Sequence, residues 1–167
     1  INSVANIYVQ KEAFEPHYSK TLFLKIPVGI DSKLKSNRQI KLLNGNYKID
    51  EELSLFTVSK TNKFYSPANN ALYDKKGKDT FVHEQNLIIS ENKVVVIMGC
   101  GHAGVVNIME EAEKYQPHFC IGGFHLFNPL TKKTVSWNYK SIKILNFILV
   151  IALVKRHIII YLNKWII

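Results

Sequence analysis

The chain has 167 residues, 47% of them apolar, which is enough for one domain with a buried core and too hydrophobic for a solvated, disordered polymer. Its formal charge of +9 is unevenly placed: residues 1–113 carry 14 Lys/Arg against 13 Asp/Glu, whereas residues 114–167 carry 8 Lys/Arg and no acid. Lysines scattered through a tail are not the one-face, aromatic-flanked patch that grips phosphates, so nucleic acid is not an expected partner.

The first residue is Ile1, which leads us to expect a sequence that starts inside a longer protein, and residues 1–19 lack the apolar h-region of a secretory signal. Residues 7–9 and 21–26 read as short strands, the second closed by Pro27 and Gly29. Residues 31–48 are polar and lysine-rich, with turn residues Asn44, Gly45 and Asn46. Residues 53–58 alternate as a strand does. Residues 61–78, with Pro67, Asn69, Asn70 and Gly77, read as loop. A short apolar run at 86–90 precedes a polar turn at Glu91, Asn92 and Lys93. Residues 94–98 are wholly apolar and mostly β-branched, which predicts a strand buried on both faces. A glycine-rich loop at 99–104 leads into Val105, Ile108, Met109 and Ala112, whose i, i+3, i+4, i+7 spacing predicts a helix with one apolar face. Pro117 ends it, and residues 118–123 form a second apolar strand. This strand–loop–helix–strand unit makes the local class α/β. Cys100 and Cys120 form no C-x-x-C pair and read as buried free thiols of a protein in a reducing cytoplasm.

Two chemistries fit the glycine-rich loop. Gly99-Cys100-Gly101-His102-Ala103-Gly104 satisfies G-x-G-x-x-G between a strand and a helix, as in a dinucleotide-binding module using Gly99, Gly101 and Gly104. That fingerprint also needs an acid about 20 positions on, to hold the ribose. Gly122, Gly123, Phe124 and His125 stand there instead, with no acid downstream. The other reading uses His102 and His125, each just past a strand. The ends of neighbouring parallel strands share one edge of a sheet, where two neutral imidazoles can hold one metal ion. The plainer alternative is that each is a hydrogen-bonded loop histidine.

Three blocks then resemble one branch of the metallo-β-lactamase superfamily. They are Asp79-Thr80-Phe81-Val82-His83-Glu84-Gln85-Asn86-Leu87-Ile88-Ile89, the stretch 98–108 with its G-C-x-H-x-G and V-N-I, and Ile121-Gly122-Gly123-Phe124-His125-Leu126. Ala13-Phe14-Glu15-Pro16 is a fainter match. The branch is similar to dihydropterin-type phosphate synthases and related metal-dependent hydrolases. The resemblance implies a four-layer αβ/βα sandwich, of which this chain is a partial copy. It also implies one or two metal ions, usually zinc, whose bound hydroxide attacks an ester or phosphoester-like small-molecule substrate. His102 matches the third-motif metal ligand, and His125 stands where many relatives place a bridging Asp. His83 reads as a hydrogen-bonded structural histidine, and Glu84 as a group that orients a neighbour.

The sequence departs from the family in two places. H-x-H-x-D-H, which supplies most ligands, is absent from the 167 residues. The final histidine motif, similar to F-Y-T-C-H-C-T-G, is missing after Pro129. Read one base out of frame, however, codons for Phe147-Ile148-Leu149-Val150-Ile151-Ala152-Leu153-Val154 permit that motif, so a frame slip is expected between Val135 and Tyr139. The resulting division is residues 1–136, the C-terminal portion of a metallo-β-lactamase-fold domain, and residues 137–167, a basic hydrophobic tail translated out of frame. With His102 and His125 as its metal ligands and no defensible general base, the chain is expected to bind zinc weakly and to be inert. A different class of protein stays open: a non-enzymatic, membrane-peripheral one, with residues 144–160 as a hydrophobic helix too short to span a bilayer.

Overall fold

The computed structural model describes residues 4–59, 66–123 and 125, together with the backbone of four short strands beyond them. It opens with β1 (Ile7–Gln10), a 3-10 turn at Lys11–Phe14, and a hairpin of β2 (Tyr18–Lys20) and β3 (Lys25–Pro27). The strand expected at 21–26 is thus interrupted. The Thr21 amide donates to the Leu24 carbonyl at 2.9 Å, closing a turn that leaves Leu22 and Phe23 exposed. The polar, lysine-rich segment contains a 3-10 turn at Ser32–Ser36, β4 (Ile40–Leu43) and β5 (Tyr47–Lys48). β4 pairs with β1 in parallel, a tertiary contact that local composition does not register. After β6 (Leu53–Thr57), the expected loop contains a 3-10 turn at Pro67–Ala71 and β7 (Leu72–Tyr73), which joins β2.

The centre is a five-stranded mixed sheet in the order β10-β9-β8-β6-β5, where β8 is Gln85–Ser90, β9 is Val94–Ile97 and β10 is Phe119–Ile121. β9 and β10 run parallel, with Val96 opposite Cys120, and the helix α1 (Val105–Ala112) connects them. Phe56, Ile88, Val96 and Cys120 meet Val105, Ile108, Met109 and Ala112 in one buried cluster. Burying such side chains contributes roughly 1.5–3 kcal/mol each. Val94 packs partly buried against this cluster, but on the other face of β9 Val95 is half-buried and Ile97 is 36% exposed, so the expectation of burial on both faces is not met. Gln10 ties the β1–β4 pair to the rest. Its amide exchanges two 2.9 Å hydrogen bonds with the Gly45 backbone, while Gln85 Nε2 donates to the Tyr8 carbonyl.

Beyond the sheet, β11 (Phe127–Asn128) pairs with β12 (Lys133–Thr134), and β13 (Val150–Val154) pairs antiparallel with β14 (His157–Tyr161). Within the span considered as a hydrophobic helix, 150–154 and 157–161 are extended strands instead; Val and Ile stiffen the chain toward the extended form. The expected frame-slip position, 135–139, lies outside the described residues. Among the described residues no helix is long and apolar enough to cross a membrane.

Candidate metal centre

The loop between β9 and α1 is built on backbone that only glycine adopts easily: φ is +74° at Gly101 and +90° at Gly104, the residue that starts the helix. Glu84 fills the concavity this loop makes. Its Oε1 accepts the His102 amide at 2.9 Å and its Oε2 the Ala103 amide at 2.6 Å, and the Gly101 amide points at it as well. Burial pushes the Glu84 carboxyl up, and these amides pull it partly back. An amide nest at a helix N-terminus is the feature a pyrophosphate would use. Here a carboxylate of the same chain occupies it, so Gly99, Gly101 and Gly104 shape a loop around Glu84 rather than around a nucleotide.

His102 and His125 come together as their positions past two adjacent parallel strands predict. Their ring centroids lie 3.9 Å apart, tilted by 46°. Asn69 fixes the His102 ring: Asn69 Nδ2 donates to the His102 carbonyl at 2.7 Å, and Asn69 Oδ1 lies 3.0 Å from His102 Nδ1. Because that oxygen only accepts, Nδ1 carries the ring proton and Nε2 the lone pair. Phe81 stacks on the same imidazole at 5.0 Å. Burial, then the neighbouring His125 and His83, lower the His102 pKa to about 4, so the ring is neutral near pH 7. The backbone of His125 is itself unusual, with φ at +43°, and Ser66 Oγ donates to its carbonyl at 3.0 Å.

The glycines before His125 bring this strand end against the loop. A Cβ on Gly123 would lie 2.9 Å from Cys100 Cα and from the Gly99 carbonyl, which accepts the Gly123 amide at 2.7 Å. Cys100 is exposed and only Cys120 is buried, which corrects one of the two thiol expectations; both are free. Burial pushes the Cys120 thiol up to about 12.

A second cluster lies beyond Phe81. His17, Asp79 and His83 bring three ligand-type atoms within 4.8 Å of one another. His17 Nδ1 is 2.7 Å from Asp79 Oδ2, and its Nε2 is 3.0 Å from the Glu12 carbonyl. Both partners only accept, so the ring is doubly protonated. Its pKa is raised, by Asp79 first, against the cost of burial. Burial pushes the Asp79 carboxyl up, but hydrogen bonds from His17 and the Phe81 amide, with the nearby imidazoles, bring it below its ordinary value. His83 Nδ1 is buried and makes no hydrogen bond among the described residues, which corrects its reading as a hydrogen-bonded histidine. Burial, then the His17 charge, hold its pKa down, so its 3.8 Å approach to Asp79 is not an ion pair at neutral pH. Sequence reasoning missed His17 and Asp79 as a pair. The faint Ala13–Pro16 match stops one residue short of His17, and nothing local links it to a carboxylate 62 positions away.

No protein-family model matches the chain. The uncharacterised protein MJ0448 of Methanocaldococcus jannaschii is 25% identical over 122 residues, which cover 72% of this chain and 47% of that protein. Among solved structures, Tm1679, a metal-dependent hydrolase of the β-lactamase superfamily, superposes with a TM-score of 0.65 at 22% identity, covering 85% of this chain and 58% of its own. The fold is similar to that of a β-lactamase-superfamily protein. The chain spans about half the length of the proteins it matches. The likeness covers a mixed α/β arrangement of sheets with one helix.

Proposed function

We propose that the chain is the C-terminal portion of a metal-dependent hydrolase of the metallo-β-lactamase superfamily, holding a zinc-class ion through His102 and His125. One observation carries this reading: two imidazoles lie ring against ring past adjacent parallel strands, in a fold similar to a metal-dependent hydrolase. The residues fit such an ion. His102 is neutral, Asn69 holds its proton on Nδ1, and the Nε2 lone pair is left for a ligand, the outer-shell arrangement typical of metal-binding histidines. Bound there, a divalent ion supplies Lewis-acid activation of water, whose pKa falls to about 7. Phe81 covers one face of the His102 ring, and Glu84 fixes the loop that carries it.

Two imidazoles fall short of the three protein ligands a catalytic zinc normally has, and H-x-H-x-D-H is absent from the sequence. The His102–His125 pair alone therefore holds metal weakly and does not turn over esters or phosphoesters. The small-molecule substrate class, the zinc preference and the cytoplasmic setting belong to the same proposal, the last supported by two unbridged thiols. The out-of-frame origin of residues 137–167 also belongs to it, and sequencing the codons of 135–139 would reveal the missing or extra base.

The functional test is hydrolysis of nitrophenyl esters and phosphodiesters by the purified chain with added zinc. The proposal predicts rates no higher than those of free zinc, and zinc retention that drops when His102 becomes Ala. Vigorous turnover that survives His102→Ala would contradict it.

A further inference from the structure

His17 lies directly before β2, and Asp79 and His83 lie at two positions in the loop before β8. We infer that these three residues form a second divalent-cation site, of the zinc class, independent of His102. The donor set is two imidazoles and one carboxylate, a combination that suits zinc, cobalt or nickel better than calcium or magnesium. Two of the donors are already aimed. The Glu12 carbonyl takes the Nε2 proton of His17 and turns Nδ1 toward Asp79, as backbone carbonyls orient metal-ligating imidazoles. The Phe81 amide donates to Asp79 Oδ1 at 2.8 Å and holds that carboxylate in place.

The third donor is the one that ordinary packing leaves unexplained. His83 Nδ1 is buried, lies 3.8 Å from Asp79 Oδ1, and makes no hydrogen bond among the described residues. A buried polar atom without a partner is unfavourable, and a native structure retains few of them. A cation between these atoms gives that nitrogen its partner. Tetrahedral zinc needs its ligand atoms about 3.4 Å apart, so a group spanning 4.8 Å must contract, and the untethered His83 ring is the part able to turn. The ion replaces the proton now held between His17 and Asp79, which leaves to solvent.

The cluster opens on a cleft of about 380 Å³, with Glu12, Glu15 and Asp74 on its walls beside Lys76 and Lys78. Three protein ligands with an open side is the pattern of a zinc that keeps one position for water or an exogenous ligand. It is not half of a binuclear centre with His102. The Phe81 ring packs against both groups, 6.0 Å from the His83 ring and 5.0 Å from that of His102, and the two sites use no ligand in common.

The test uses the full 167-residue chain, stripped by chelator and titrated with cobalt(II) and with zinc(II). In a His102→Ala, His125→Ala background the site retains about one cobalt per chain with a ligand-field spectrum of mixed nitrogen and oxygen donors. His83→Gln in that background weakens retention about tenfold or more. Retention of no metal by the double variant, or retention unchanged by His83→Gln, overturns the inference and leaves His17–Asp79 a structural ion pair. In the unsubstituted chain, cobalt broadens the ring signals of His17 and His83; unbroadened rings at metal saturation overturn it equally, whatever the variants' folding.

Discussion

Glu84 grips the loop of His102 from beneath, its two carboxylate oxygens accepting the consecutive amides of His102 and Ala103 at 2.9 and 2.6 Å. The contact links the residue just before β8 to the segment between β9 and α1, 18 residues later, so the position of the His102 imidazole depends on an acid that never touches its ring.

Replacing Glu84 by Ala is expected to cost about 1.5–3 kcal/mol, the range for hydrogen bonds to a charged group. Amide exchange at His102 and Ala103 should quicken first, while β6 and β8 stay protected. Glu84→Gln, which keeps one acceptor, should lose less. Equal exchange rates in all three proteins would show that the loop holds itself.

Stability of the metal-free chain should fall with acid through His102. Its folded pKa of about 4 lies below the ordinary 6.5, so the folded state takes the proton less readily than the unfolded one. The contribution is complete above about 6.5 and is lost as pH drops toward 4. His17 acts in the opposite sense: its pKa is raised, so its contribution is complete below 6.5 and is lost as pH rises through the folded value. Asp79, whose pKa is lowered from 3.8, keeps its contribution above that value and loses it in stronger acid. Urea denaturation across pH should therefore show a flatter acid limb for His102→Gln and a flatter alkaline limb for His17→Gln. Parallel curves for wild type and both variants would refute the assignment.

Gly123→Ala should be disproportionately costly for a one-carbon change. The added Cβ would meet backbone atoms of Gly99 and Cys100 at 2.9 Å, and backbone cannot swing aside as a side chain can. Overpacking of this kind costs about 1–3 kcal/mol. Thermal melting supplies the comparison with Gly45→Ala, where no atom lies within 4 Å and only the +88° backbone resists. A Gly123→Ala protein as stable as wild type would mean that the two strand ends are not held together.

The sequence made the central unit legible because its signals are local. The apolar run at 94–97, the helical repeat of Val105, Ile108, Met109 and Ala112, and the glycines at both strand ends each report on their own neighbourhood. From these, the meeting of His102 with His125 follows by geometry. The strands β4, β5 and β7 were not legible, being short, lysine-rich or polar, and held by partners up to 55 residues away. Burial on both faces of β9 was over-read, since a β-branched run looks the same when only alternate residues reach the core. The role of Glu84 was visible only as a suggestion. The His17–Asp79 contact was not visible at all, because it is made by folding across 62 positions.

The central claim is that His102 offers a neutral, Nδ1-protonated imidazole to a metal through Nε2. Nitrogen-15 spectra of the histidine rings, recorded at pH 7 before and during a zinc titration, test it most directly. The expected spectrum is that of a neutral His102 with its proton on Nδ1, whose Nε2 signal moves as zinc is added. A protonated His102, or one whose ring nitrogens stay put while zinc shifts only His17 and His83, would contradict it.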